Sequence, residues 1–280
     1  MSANTPMNEP SSKIRPTQGA GIFDFAEVWA YRALLGQMIK RQIMIRVVTS
    51  PLSIVWGFIR PAIMTLAFYY LRRMSSADFG HDVPYALFIF SGFCLWFLFA
   101  EIVLQVAGSL SADASVIKKV YYPRLISPLA VVLSRFMDFI IVVAAIVIAQ
   151  LLFSVGIDWN FLWIIPIGLT MLALAFGVGA IFASLMVFHP DTRRFLEVML
   201  YLGLFLSPVI FSKSILPITI QTYYPLNPMV GVLTAARGAM FSPSTIDYNA
   251  WLISIGLTAC LLLIGLTMLS RAAKLIGDRL

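Results

Sequence analysis

Charge is scarce in this sequence: Asp, Glu, Lys and Arg together make up 12% of 280 residues, and only 13 of them are acidic. No chain of acids along one pathway marks a proton-coupled carrier. Only two cysteines occur, Cys94 and Cys260, both inside apolar runs, which excludes a disulfide scaffold and a thiolate metal site. The two histidines, His81 and His189, belong to no HExxH or similar ligand cluster, so no metal site is expected. A GxSxG nucleophile elbow is missing, and so is the GxxxxGK[ST] loop that would let the chain bind ATP in the P-loop manner. An enzyme reading therefore has no site to rest on. Nor does a basic-apolar-small signal peptide open the chain, since about fifty mostly polar or amphipathic residues precede the first apolar run; insertion is expected to use an internal helix.

What is abundant is apolar sequence, at 60% of the chain, with a mean hydropathy of +0.90. That balance indicates a polytopic membrane protein. An outer-membrane barrel needs alternating runs of about 10 residues, whereas here continuous apolar segments of roughly 20 residues recur, so the spans are helices. The formal net charge of +7 does not indicate nucleic acid, because the basic residues gather in loops beside apolar spans. Six spans are predicted, at about 54–71, 85–107, 125–155, 161–188, 196–211 and 251–269. Fourteen Lys and Arg then fall in segments assigned to the cytoplasm and four, Arg72, Arg73, Lys213 and Arg237, in external ones. Both termini are therefore expected in the cytoplasm.

Met1 to Gly21 is too polar to fold alone and is expected to be a disordered cytoplasmic tail. From Phe23 to Arg46 the chain becomes amphipathic: Arg32, Gly36 and Lys40 share one helical row with Gln37 and Arg41 beside it, while Leu34, Leu35, Met38, Ile39 and Ile45 fall opposite. Such a helix, too charged to span, is predicted to lie in the membrane interface. Arg60-Pro61 should kink the first span. Between the second and third spans lies Ser111 to Pro128, SADASVIKKVYYPRLISP, with Lys118, Lys119 and Arg124. Ser111 or Asp113 can cap a short helix there, and Pro123 sets its end. A short, basic, structured cytoplasmic helix results, placed where a soluble partner could push on the membrane domain. Ser212 to Asn249 holds Pro217, Pro225, Pro228 and Pro243, too polar to span and too apolar for an ordinary solvated loop. A re-entrant pair of short helices or an ordered external cap satisfies its backbone.

Four charges fall within spans: Arg60, Glu101, Arg135 and Asp138. Charges at that depth pair with one another or line an aqueous path. Arg135 and Asp138, three apart, can pair on one helix face, and Glu101 is expected to answer Arg60 across helices.

Nearly the whole chain from Leu34 resembles the permease subunits of ABC-2 type polysaccharide exporters, which move O-antigen, capsule or teichoic-acid chains out of bacteria. The motifs that carry the resemblance are IKRQIMIR (Ile39 to Arg46), VIKKVYYPRLISPL (Val116 to Leu129), LFLSPVIF (Leu204 to Phe211) and YPLNPMVGVLTAARGAMF (Tyr224 to Phe241). Val47 and Val48 depart from the aromatic and lysine expected after IMIR, and Arg60 is unusual at its place. The resemblance implies an all-α integral membrane protein with six transmembrane helices and one ABC-2 type transmembrane domain over 22–280. Within it, 22–46 would be the interface helix, 111–122 the coupling helix and 212–249 the periplasmic gate region. It further implies a homodimer in the bacterial inner membrane joined to two copies of a separate ABC ATPase that holds ATP-Mg, with no cofactor in this chain. Ser115, Val116, Lys118, Lys119, Tyr121 and Tyr122 would contact that ATPase. The cargo would be an undecaprenyl-linked polysaccharide passing through a channel at the dimer centre. Aromatic faces grip sugar rings while letting them slide, so Trp56, Tyr69, Tyr70 and Phe97 are candidates for its lining, although such residues also serve as interfacial anchors. Rival readings are an ABC-2 permease for a small lipophilic drug or oligosaccharide, and a non-transporting membrane scaffold.

Overall fold

The computed structural model describes residues 25–49, 51–75, 84–113, 122–241 and 246–277. Every regular element among them is helical, with no strand among the described residues. In chain order they are α1 (Phe25–Ala30), α2 (Arg32–Met44) with a π turn at Ile45–Thr49, α3 (Pro51–Ser75), α4 (Tyr85–Ala112), α5 (Ile126–Leu152) and α6 (Ile164–Phe188). After these come α7 (Thr192–Phe205), α8 (Ile218–Tyr223), α9 (Pro228–Phe241) and α10 (Tyr248–Gly277).

Among the described residues, four helical stretches are long and apolar enough to cross a membrane: Tyr85–Ala112, Ile126–Leu152, Trp159–Phe188 and Tyr248–Ala272. Of the expected spans, the fifth falls short of that mark by length. Helix α3 runs unbroken through Pro61 for 25 residues, with Arg60 inside its apolar run and Arg72 and Arg73 in its last turn. Helix α7 starts four residues earlier than expected and stops at Phe205, because Pro208 cannot donate to the helix and bends the residue before it away from helical geometry. Its 14 residues reach about 21 Å, short of the roughly 30 Å hydrocarbon core.

Helices α4 and α6 form the centre of the fold, with 72% and 67% of their most apolar windows buried against 22% for α10 at the periphery. Phe93, Ile102 and Val106 of α4 meet Ile167, Met171 and Leu174 of α6 in one continuous core. Helices α6 and α10 pack with their backbones close: a Cβ at Gly177 would stand 2.9 Å from the Leu262 nitrogen, and one at Gly265 would stand 2.5 Å from the Gly177 oxygen. Small residues permit this approach, which replaces the hydrophobic effect as the source of helix association in lipid.

The amphipathic pattern of the N-terminal segment is realised in α2. Its apolar face, with Leu34, Leu35, Met38 and Ile39, packs on Tyr122, Ile126 and Ala130 at the start of α5, while Arg32, Lys40 and Arg41 stay exposed.

Between α7 and α10 the chain forms short pieces instead of a span: a turn at Lys213–Ile215, then α8, a turn at Tyr224–Leu226 and α9. Prolines set their limits, with Pro217 capping α8 and Pro228 opening α9. Asn227 also caps α9, its Oδ1 accepting from the Met229 N–H at 3.1 Å, and its Nδ2 donates to Ser207 Oγ at 2.9 Å. The LSPV and PLNP motifs are thus bonded to each other. Most of α9 is buried, whereas α8 is exposed.

Candidate functional site

Helical spacing brings one face from each of three helices to a common cavity of about 640 Å³. Trp56, Gly57 and Arg60 recur at i, i+1 and i+4 on α3; Cys94, Phe97, Leu98, Glu101 and Leu104 form one stripe on α4; Arg135, Asp138, Ile141 and Val142 do so on α5. Arg46, from the π turn after α2, closes the polar end. A further cavity of about 330 Å³ shares Arg46, Leu104 and Arg135 with it and extends to Asp113 and Arg193.

The polar end is a four-charge network. Arg135 donates to Glu101 Oε1 and to Asp138 Oδ2, each at 2.9 Å, and its Nε donates to Gln105 Oε1 at 2.9 Å. Arg46 donates to Glu101 Oε1 at 2.6 Å and also to Asp138 Oδ2. Gln105 donates in turn to Glu101 at 3.3 Å. Burial is unequal: the Arg135 side chain is 2% exposed, whereas that of Glu101 is 48% exposed toward the cavity. Arginine suits this role because its planar fork bonds two carboxylates at once and stays charged when buried.

Arg135 and Asp138 pair along one helix face, but Glu101 does not answer Arg60 as the sequence had suggested. It bonds Arg46 and Arg135, and Arg60 forms no ion pair with any described residue. Arg46 is the member that sequence reasoning missed; its position at the end of an amphipathic segment, one helix before the first span, was the available signal.

Of the aromatic candidates, Trp56 and Phe97 line the cavity. Phe97 stacks on Phe93 with centroids 5.7 Å apart. Tyr69 and Tyr70 lie further along α3, edge to face with each other at 5.8 Å and outside this cavity. Ser115, Val116, Lys118, Lys119 and Tyr121 lie outside the described residues, as does the tail before Phe25. Tyr122 is described: it is buried against α2, and its hydroxyl lies 3.0 Å from Ser127 Oγ. Burial pushes its phenol above the ordinary value, against the opposing pull of the Ser127 hydrogen bond.

Arg237, counted above among external loop cations, is instead buried in α9. Its guanidinium donates to three main-chain carbonyls, Phe88 at 3.0 Å, Val209 at 2.8 Å and Pro208, and lies 3.6 Å over the Phe88 ring. No carboxylate takes part, so no charge pattern in the sequence could have found it. Near it, Lys213 bonds Asp247 at 2.5 Å. Among the described residues no group of His, Cys, Asp or Glu is placed to hold a metal ion.

A comparison with known families matches residues 33–241 to the ABC-2 type transporter family. The chain is 24% identical over 218 residues to the O-antigen export system permease protein RfbA of Klebsiella pneumoniae, covering 77% of this chain and 83% of that one. It is 25% identical over 252 residues to the capsule polysaccharide export inner-membrane protein CtrC of Neisseria meningitidis serogroup B, covering 87% and 92%. To the polysialic acid transport protein KpsM of Escherichia coli it is 23% identical over 209 residues, covering 71% and 78%. With several helices apolar enough to span, and a match over three quarters of its length, this multi-pass membrane chain belongs to the ABC-2 type transporter family.

Proposed function

We propose that the chain is the transmembrane permease subunit of an ABC transporter that exports lipid-linked polysaccharide, of O-antigen or capsule type, across the bacterial inner membrane. The observation that carries this reading is that the relatives above, named for O-antigen, capsule and polysialic acid, all serve polysaccharide export or transport and match over 71–87% of this chain. No phosphate loop is present in the sequence, so ATP-Mg would be held by a separate ABC ATPase, in two copies on a permease homodimer.

In this reading α3 and α7 complete a six-span subunit by covering their polar or short stretches within the dimer. The basic face of α2 supports an interface helix, Arg46 tying its end to α4 and α5. The short helices between Lys213 and Phe241 serve as the periplasmic gate, and both termini are cytoplasmic. Force from the ATPase would enter through Ser115 to Tyr122. Burial of Tyr122 between α2 and α5 supports this, since a push there reaches both helices through packed side chains. Trp56 and Phe97 offer sugar-sized flat faces beside the network.

Co-purification from native membranes tests the reading: a stoichiometric ATPase whose hydrolysis rate responds to lipid-linked glycan is the expected result. Finding no nucleotide-binding partner would overturn it.

A further inference from the structure

Three arginines border the cavity, and only two acids answer them. Arg46 and Arg135 each bond both Glu101 and Asp138, so those four charges sum to zero. Arg60 lines the same cavity, is exposed there, and has no ion-pair partner among the described residues. A lone guanidinium inside an apolar run is costly, and Glu101 borders the same cavity as a carboxylate that could relieve it.

The two arginines on Glu101 are held differently. Arg135 is 2% exposed and bonds both acids from within the core, whereas Arg46 is 23% exposed and stands on the π turn after α2. When Arg46 lets go, both acids keep Arg135. Arg46 itself follows a helix whose basic face is exposed, and its long stem can carry the guanidinium to interfacial water. Arg60, well inside α3, has no such exit. With Arg60 on Glu101 in place of Arg46, the paired charges again sum to zero, and the spare cation is now the one that water can reach.

Helix α3 is built to permit the change. Its later half is pinned to α4: the Phe68 and Phe93 ring centroids lie 5.7 Å apart, and the Arg72 guanidinium sits 4.5 Å over the Tyr85 ring. Pro61 cannot donate to the Gly57 carbonyl, so a bond is missing between that pinned half and the half that leads back to Arg46. A Cβ at Gly57 would meet nothing within 4 Å, so a bend there pushes on no neighbour. The π turn at Ile45–Thr49 supplies a second joint. Arg60 adjoins Pro61 and so stays beside the cavity while the rest of the half swings.

We propose that Glu101 exchanges Arg46 for Arg60, and that this exchange switches α3 between the tied state of the structure and a released state. In the released state the first half of α3 bends away at Pro61 and opens the cavity beside the π turn. The exchange needs neither polymer nor ATPase, so it stands or falls apart from the exporter reading.

The test is a pulsed electron-resonance distance measurement on the full-length chain in phosphatidylcholine nanodiscs, diluted with unlabelled chain. Spin labels on unnatural amino acids replace Val48, exposed on the π turn, and His189, exposed at the end of α6. The tied distance is expected to dominate in the otherwise unsubstituted chain. Arg46→Gln should raise the ratio of a longer distance to the tied one roughly ten-fold, the effect of losing charge-assisted hydrogen bonds to a half-exposed acid. Adding Arg60→Gln should return that ratio toward the starting value, while adding Arg60→Lys, which keeps the charge, should preserve most of the rise. Arg73→Gln, exposed on α3 outside the cavity, should leave the tied distance dominant. Absence of a longer distance in Arg46→Gln, its persistence after Arg60→Gln is added, or an equal rise in Arg73→Gln overturns the proposal. If the Arg46→Gln, Arg60→Gln variant does not assemble, Arg46→Gln with Glu101→Gln decides in its place. There the acceptor is gone, so the longer distance should recede, and its persistence overturns the exchange.

Discussion

Replacing Arg135 by alanine should cost far more than replacing Arg46, although both bond the same two acids. Arg135 is 2% exposed and makes three side-chain bonds of 2.9 Å, to Glu101, Asp138 and Gln105. In Arg135→Ala, Glu101 can regain water because it is half exposed, so its loss approaches that of a surface pair, about 1 kcal/mol or less. Asp138, mostly buried, loses a charge-assisted bond of about 1.5–3 kcal/mol, and the vacated volume adds a cavity term. A total of about 3–5 kcal/mol follows, the usual cost of breaking a buried pair from one side. In Arg46→Ala both acids keep Arg135, and the more exposed Arg46 leaves little void, so about 1–2 kcal/mol is expected. The double variant strands Asp138 without either guanidinium and should lose more than the two single effects together, by roughly 1–3 kcal/mol. Equilibrium unfolding of the purified chain in mixed micelles, followed by tryptophan fluorescence, reads all three. An Arg46→Ala cost equal to or above that of Arg135→Ala, or additivity within about 0.5 kcal/mol, would refute the network as described.

Other consequences are open to the same kind of measurement. Arg237→Gln should lower thermal stability by about 3 kcal/mol or more, since it leaves buried carbonyls of Phe88, Pro208 and Val209 short of donors; an effect below about 1 kcal/mol would contradict their dependence on it. Gly265→Val should destabilise by about 1–3 kcal/mol through forced separation of α6 and α10, while Gly36→Ala, in open space on α2, should be neutral or slightly stabilising in the same assay. Partial burial works to raise the Asp247 carboxyl, but hydrogen bonds from Lys213 and the Ala250 N–H, with the Lys213 charge, hold it below its ordinary 3.8. Its contribution, about 1 kcal/mol or less, is therefore present in full above that value and is lost as pH falls through the lower folded-state value. Asp247→Asn should flatten the acid limb of the stability–pH curve below about pH 4 and leave it unchanged between about pH 5 and 7. Exchanging Lys118 and Lys119 for Glu should leave the chain folded and abolish coupled ATP hydrolysis and export; retained export would remove those residues from the coupling role.

Local information carried the class of this protein and the positions of most of its elements. Four apolar runs became helices that start within about three residues of the expected positions, two of them running on past the expected ends to Ala112 and Gly277, because a backbone without water must bond within its own segment and apolar length therefore marks a span. The prolines at 208, 217 and 228 set the breaks: Pro208 cannot donate to a continuing α7, and Pro217 and Pro228 stand at helix starts, where the missing N–H has no intrahelical partner to lose. The Arg135–Asp138 pair was legible from helical spacing, and the family from four motifs read in order. Partnership across helices was not legible. Arg46 and Asp138 are 92 residues apart, and Arg237 and Phe88 are 149 apart. Which of several available cations meets Glu101 depends on which helix faces pack together, and hydropathy carries no term for that choice. Arg237 shows the limit most clearly: its partners are main-chain carbonyls, present at every residue alike, so only the tertiary fold could select the three that hold it.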